Sequence, residues 1–304
     1  MKSMDIKERH DLSYYRKCFF AGLFPCGLTH TLLTPLDIVK CRRQVNPVLY
    51  CSLNQGLKTV FKNAGIRGLY LGWQPTIIGY GIQGSTKYGF YEIFKEVYRK
   101  ILGEKADKYK TIGFMLSSAF AEVIADCLLC PFESLKVRMQ TSENFPKKLI
   151  PAFTELNKEG THGFYKGLMP LIFRQVPNTM IKFATYENTV RLLYTYIWER
   201  PKETYSKNTQ LLITFLSGYV SGAICCLFSN PADTFVSKIN AKRTEANQSL
   251  SNSIKIIYNE IGFLGLWRGL STRVIMVGTL SALEWLIYDS FKVMAGLSTT
   301  GGKH

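Results

Sequence analysis

Ionisable side chains stand at helical spacing inside segments that are otherwise apolar, where they could pass protons or hold an anion. Glu122, Asp126 and Glu133 lie at i, i+4 and i+11, which keeps all three within about 40° of one another on a helix turning 100° per residue. Three carboxylates on one face of an apolar segment are costly unless that face meets water or other charges. His30 and Asp37, seven residues apart, share a face in the same way. Histidine is the side chain whose free pKa lies nearest physiological pH. Alone, His30 would read as a hydrogen-bonded core histidine; with Glu122, Asp126 and Glu133 it makes a candidate proton path. Cations stand at similar spacing. Lys87 follows Gln83 by one turn, while Arg174, Asn178 and Lys182 rise at i, i+4 and i+8 with Gln175 beside them. Arginine grips an oxyanion through a planar fork and lysine as a point charge. Snorkelling to an interface is the competing reading for Lys87 and Lys182.

The elements that position these groups are long and water-averse. Residues 18–36, 68–86 and 208–232 contain no Asp, Glu, Lys or Arg, and each is long enough, at ~20 residues, to span a bilayer as a helix. Weaker stretches at 111–132, 168–190 and 270–291 carry a few charges, which a spanning helix tolerates where they face a wet interior. The expectation is six spanning helices, with both termini on one side. The whole chain, 304 residues, is 46% hydrophobic and 20% charged. That excludes a mostly disordered chain and a disulfide-stapled mini-protein. Its net charge, 38 − 22 = +16, points to an anionic partner or substrate. The eight cysteines are scattered, several within apolar runs, and read as buried free thiols. The first seventeen residues mix both charge signs and lack an apolar core, so neither a removable signal nor a cleaved presequence is expected.

One unit is copied three times. PLDIVKCRRQ (35–44), PFESLKVRMQ (131–140) and PADTFVSKIN (231–240) share a proline, an acid two residues later, a basic residue at the seventh position after proline and an amide at the ninth. The prolines are spaced by 96 and 100 residues. In phase with them run GIRGLYLG (65–72), GTHGFYKG (160–167) and GFLGLWRG (262–269), then YEIFK (91–95), YENTV (186–190) and YDSFK (288–292). Three elements in phase over three copies mark a repeat architecture, divided here as 1–104, 105–204 and 205–304. Each unit holds two apolar segments with an amphipathic piece between them. Proline kinks a helix by removing a hydrogen bond, so the odd-numbered helices can converge at one end and pair acid with base.

The pattern P-x-[DE]-x-x-[KR], complete in two copies and partial in the third, resembles the signature of the mitochondrial carrier family over nearly the whole chain. CGLTHTLLTPLDIVKCRRQ, GYGIQGSTKYGFYE, AEVIADCLLCPFE, NPADTFVSKIN and VGTL are similar to the family's phosphate carriers, and the cysteine placement to the subgroup also linked to copper. The resemblance implies an all-α membrane protein of the mitochondrial inner membrane. Its six transmembrane helices would form three tandem two-helix repeats with pseudo-threefold symmetry and short matrix-side helices. It also implies a matrix gate in which Asp37 meets Lys136 and Asp233 meets Lys40. Val236 stands where a third lysine would be, so Glu133 is expected to have no partner and to be free to take up a proton. A cytoplasmic gate would use Glu92, Lys95, Glu187, Asp289 and Lys292, with Val190 replacing one base and Arg191 partly substituting for it. The family's contact points fall at Gly79–Tyr80, Arg174–Gln175 and Met276–Val277. Only the second supplies a cation, which implies a small substrate near Arg174, bound with help from Gln83, Lys87, Gln175 and Lys182.

Other signals lead elsewhere. Gly79 to Gly84 fits G-x-G-x-x-G without the strand and βαβ unit that a dinucleotide site needs, and reads instead as close helix packing, as do Gly218 and Gly222. Cys127 and Cys130 form a C-x-x-C without the second pair of a zinc site. Basic residues are spread over the three repeats rather than clustered, which favours anionic lipid such as cardiolipin over nucleic acid. Cys18, Cys26, His30 and Cys225 form a candidate copper set, since thiolate suits Cu(I).

The expected activity is transport of inorganic phosphate with a proton, or against hydroxide, by alternating access in a single copy without cofactor. A copper(I) carrier on the same scaffold is the first alternative. A soluble basic helical scaffold for nucleic acid is the alternative of another class. No nucleophile, base and orienting group occur together, so no enzyme is expected.

Overall fold

The computed structural model describes residues 11–45, 49–50, 52–103, 105–142, 144–198, 200, 202–241, 250–267 and 270–301. Side chains at 43–45, 232–241, 250–254, 257, 261, 264, 271 and 272 lie outside that description, Asp233 among them. The regular structure of the described residues is helical throughout. In chain order the helices are α1 (Leu12–Leu32), α2 (Thr34–Val45), α3 (Leu53–Leu69), α4 (Trp73–Leu102), α5 (Lys105–Lys108), α6 (Lys110–Thr141), α7 (Leu149–Asn157), α8 (Gly160–Tyr165), α9 (Leu168–Tyr196), α10 (Lys207–Ala241), α11 (Leu250–Gly265) and α12 (Leu270–Met294). A single 3₁₀ turn, Lys202–Thr204, separates α9 from α10.

Caps and breakers set the ends. Asp11 accepts from the Leu12 N–H at the start of α1, and Ser52 accepts from Gln55 at the start of α3, each satisfying a backbone donor that the helix cannot. Pro35 follows the break between α1 and α2, whose axes meet at 58°. Pro131 and Pro231 instead lie within continuous helices. Between α3 and α4 the chain turns on Gly72, at φ 86°, a conformation natural only to glycine. This turn moves the second expected span. The run that begins at residue 68 starts in the end of α3, and the long helix runs from Trp73 to Leu102. The charges beyond residue 86 did not end it, because Lys87 and Glu92 are turned inward and buried.

Six long helices close a ring in the order α1, α4, α6, α9, α10, α12 and back to α1. Among the described residues three helices are long and apolar enough to cross a membrane, Lys110–Thr141, Lys207–Pro231 and Arg273–Met294, and the bent α1–α2 pair passes as a fourth. α4 and α9, at 30 and 29 residues, are as long but spend their inner faces on polar groups. The ranking of the stretches at 111–132 and 270–291 as weaker than 68–86 is thereby reversed. Phe20, Phe120, Phe173, Phe228 and Ile275 are exposed on the outside of the ring, as a lipid-facing surface requires.

Small residues let the helices touch at the backbone. A Cβ on Gly22 would lie 2.6 Å from the Gly84 carbonyl oxygen, and one on Gly222 would lie 2.8 Å from the Gly278 Cα. The short helices α3, α7, α8 and α11 pack against the lower halves of α2, α6 and α10. There Ile38, Val39, Tyr50 and Val60 form one small core, and Leu135, Met139, Ala152, Leu156 and Phe164 another.

Candidate functional site

Helices α4, α9 and α12 share a frame that positions the site. Five residues before the acid of each Y-[ED] element stand Lys87, Lys182 and Glu284; four before it stand Tyr88, Phe183 and Trp285. Positions i, i+1, i+4 and i+5 share a helical face, so each helix presents a charge, then two aromatic rings, then the acid of the ring.

The charges meet in the middle of the bundle. Gln83 Nε2 donates to Glu122 Oε1 at 2.8 Å and to Asp126 Oδ1 at 3.3 Å. Lys87 Nζ lies 3.6 Å from Glu122 Oε2, close enough for an ion contact but not for a hydrogen bond. Lys182 Nζ donates to Glu284 Oε2 at 2.9 Å, and His30 Nε2 lies 3.7 Å from Glu284 Oε1. The His30 ring stacks on Tyr80, 3.8 Å between centroids. Glu122 and Asp126 are fully buried, and their Oε2 and Oδ2 atoms have no hydrogen-bond partner among the described residues.

Above this cluster lies a layer of rings. Tyr88 stacks on Tyr288 at 4.1 Å, Tyr186 on Trp285 at 3.5 Å, and Phe183 fits between Trp285 and Tyr91. All six are buried.

Beyond the rings, Lys95 donates to Glu187 at 2.7 Å and contacts Glu92 at 3.5 Å. Tyr91 supports Glu187 at 3.1 Å and Tyr14 supports Glu92 at 3.3 Å. Asp289 accepts from Thr214 at 2.7 Å and Tyr186 at 3.3 Å. Arg191 does not supply the base that Val190 lacks: its guanidinium donates to Asn188, one turn back, at 3.1 Å. Lys292 donates to Thr300 at 3.0 Å.

At the opposite end, Lys136 and Asp37 pair at 2.8 Å, the pairing that the family resemblance implies. Lys136 also lies 3.6 Å from Glu133. The expectation that Glu133 has no partner is therefore corrected, because i and i+3 on one helix bring the lysine back over it. The same ammonium stands 5.0 Å over the Tyr80 ring, a cation–π contact. Lys40 is exposed, and its expected partner Asp233 lies outside the described side chains. Gln140 donates to the Leu71 carbonyl of the preceding repeat at 3.0 Å, which gives the recurrent amide a role in joining repeats. Outside the spans, Arg138 grips both carboxylate oxygens of Glu159, and that bonding holds the Glu159 carboxyl below its usual range.

His30, Gln83, Lys87, Glu122, Asp126 and Lys182 are thus brought together. Arg174 is exposed and Gln175 half-buried, two turns before Lys182, with Arg174 within electrostatic reach of Asp126 and Tyr80. The cysteines are not gathered. Cys18 lies between Tyr14 and Tyr288, Cys26 against Gly84, and Cys225 against Asn178. Among the described residues no group of three or more His, Cys, Asp and Glu side chains could hold a metal ion. Sequence reading missed Glu284. Its signal was the frame itself, since Glu284 is the third copy of the position that holds Lys87 and Lys182.

The family model described as "Mitochondrial carrier protein" matches residues 12–102, 107–197 and 207–298. The chain is 48% identical over 291 residues to "Probable mitochondrial phosphate carrier protein" of Schizosaccharomyces pombe, covering 95% of this chain and 93% of the relative. It is 48% identical to "Phosphate carrier protein, mitochondrial" of Caenorhabditis elegans, covering 93% and 82%. To "Solute carrier family 25 member 3" of Homo sapiens it is 44% identical, covering 92% and 76%.

Proposed function

The chain belongs to the mitochondrial carrier family, and from that premise we propose that it moves inorganic phosphate with a proton. It is a multi-pass protein of the mitochondrial inner membrane. The observation that carries the proposal is the buried charge cluster between the two rings. It sets three carboxylates, Glu122, Asp126 and Glu284, against two lysines, Lys87 and Lys182. Arg174, within electrostatic reach of Asp126, is exposed rather than buried with them, so the buried carboxylates outnumber the buried lysines by one, and unpaired charge is costly in a dry interior. A proton held by a carboxylate or by His30 restores the balance.

An arriving oxyanion deepens the deficit, so phosphate and proton are expected to enter together. Lys87 and Lys182 receive the phosphate oxygens, and Arg174 and Gln175 guide it from the proline-ring end. Glu284 holds Lys182 and His30 in the empty carrier and yields them to the substrate. The protons pass by His30, Glu122, Asp126 and Glu133. Asp37, Lys40, Lys136 and Asp233 close the matrix side; Glu92, Lys95, Glu187, Asp289 and Lys292 close the cytoplasmic side. The two ends open in turn around the one central cluster. Cardiolipin and other anionic lipids suit the net charge of +16 and the short helices at one end. A copper cargo is not favoured, because Cys18, Cys26 and Cys225 lie apart from one another.

The test is labelled phosphate uptake by the purified protein in liposomes, with and without an imposed pH gradient. Uptake should accelerate when the lumen is alkaline, and Glu122→Gln should lose that acceleration. Uptake indifferent to the gradient would remove the proton, and absence of phosphate uptake would remove the cargo.

A further inference from the structure

After α12 the chain folds back across the end that carries the Y-[ED] ring. The Ala295, Gly296 and Leu297 N–H groups bond to carbonyls of Phe291, Val293 and Lys292, and the reversal passes through Gly296 at φ 78°. Thr299 and Thr300 are each only 4% exposed. The Thr300 N–H donates to both Asp289 oxygens, at 2.9 and 3.0 Å, and its hydroxyl donates to Oδ1 at 2.7 Å. Thr299 donates to Gln210 of α10 at 3.2 Å. Lys202, from the turn before α10, donates to the Thr299 carbonyl and to that of Gly301 at 2.6 Å. Lys17 of α1 donates to the Ala295 carbonyl at 2.8 Å.

The place this segment covers is informative. A Cβ on Gly301 would lie 3.0 Å from Val190 Cγ1 and 3.1 Å from Glu187 Oε2. Val190 is the position at which the third Y-[ED]-x-x-[KR] base is missing, and Asp289 is the acid left without it. The peptide therefore supplies donors to the one ring carboxylate that has no ion-pair partner among the described residues. It does so while touching helices of all three repeats: α1, α9, α10 and α12. Opening this end separates those helices, and the segment cannot keep these bonds when they part.

We propose that residues 295–301 form a strap that locks this end shut in place of the ion pair absent at Val190, and that release of the strap is required for the end to open. Cys18 is a built-in reporter. It is fully buried between Tyr14 and Tyr288, within electrostatic reach of Glu92 and of Lys292, the residue that donates to Thr300 of the strap.

The experiment is maleimide labelling of the full-length protein in liposomes, resolved to Cys18 by peptide mass. Thr300→Pro removes the N–H and the hydroxyl together, and should raise the Cys18 labelling rate about tenfold, the scale expected from losing bonds to a carboxylate. Thr300→Val, which keeps the N–H, should raise it less. Val190→Lys in the Thr300→Pro background supplies the missing base and should return the rate toward that of the parent. Lys95→Ala, which breaks the ring's own ion pair, calibrates the response. Labelling raised by Lys95→Ala but unchanged by both Thr300 variants would overturn the strap. The readout is independent of the cargo, so failure of the phosphate reading would leave this test intact.

Discussion

The two charged rings of the bundle each lack a base, at Val236 in one and at Val190 in the other, yet their described side chains are held differently. At the proline-ring end one ammonium, Lys136, serves Asp37 and Glu133 and rests on Tyr80. Asp37 and Glu133 keep 28% and 20% of their side-chain exposure. At the other end Glu187, Asp289 and Lys292 are at most 5% exposed. Each acid there has a hydroxyl in support: Tyr91 for Glu187, Tyr14 for Glu92, Thr214 and Tyr186 for Asp289. Among the described side chains the first lock concentrates on one cation, so its loss falls on one point. A lock shared among hydroxyls, peptide groups and one ion pair fails by degrees.

Substitutions should expose that difference. Lys136→Gln is expected to have the largest effect, taking from Asp37 and Glu133 the ammonium they share; removing one member of a buried pair costs about 3–5 kcal/mol. Thermal unfolding should show the loss and phosphate uptake should cease, and a variant with parental uptake would deny Lys136 its central place. Lys95→Ala should cost about 2 kcal/mol by the same measurement, because Glu187 and Glu92 keep their tyrosines. An equal loss at both ends would erase the distinction.

The strap adds a pH dependence to its end alone. Burial, with Lys292 nearby, pushes the Lys202 ammonium down to about 8, against the pull of Asp289, Glu187 and Glu203. Released from burial it would return to about 10.4. Between those values the released form binds more protons than the docked form, so docking gains strength as pH rises through 8 and is weakest below it. The ratio of Cys18 labelling rates, Thr300→Pro over parent, should grow between pH 7 and 9 by at most about tenfold. A flat ratio would remove Lys202 from the equilibrium. Smallest should be Tyr91→Phe, which takes one hydroxyl from Glu187 at a cost of about 1 kcal/mol; it should leave uptake near parental and lower the unfolding temperature slightly. A collapse of uptake in Tyr91→Phe would mean that this end, too, depends on one bond.

The repeat architecture was legible because it is written three times, and even a degraded third copy keeps its phase. The Lys136–Asp37 pair was implied by the family resemblance that the repeated motif carries. Glu284 carries the same phase but breaks the charge type of its two counterparts, and a search for cations passes over it. The end of the second span was misread because Lys87 and Glu92 look like a boundary in a linear hydropathy reading, whereas in the bundle they face inward. The strap had no signature at all. It occurs once, and most of its bonds are made by backbone N–H and carbonyl groups, which carry no residue code.

The aromatic layer has an electrical consequence. Six packed rings beside the cluster form a thin slab without charged groups, of low dielectric constant, and a voltage across the bundle would fall steeply there. Each elementary charge carried across the full potential does work of roughly 2.3 kcal/mol per 100 mV. On the proposed route a charge passing from Lys87 to Tyr91 would do a large share of that work within this slab.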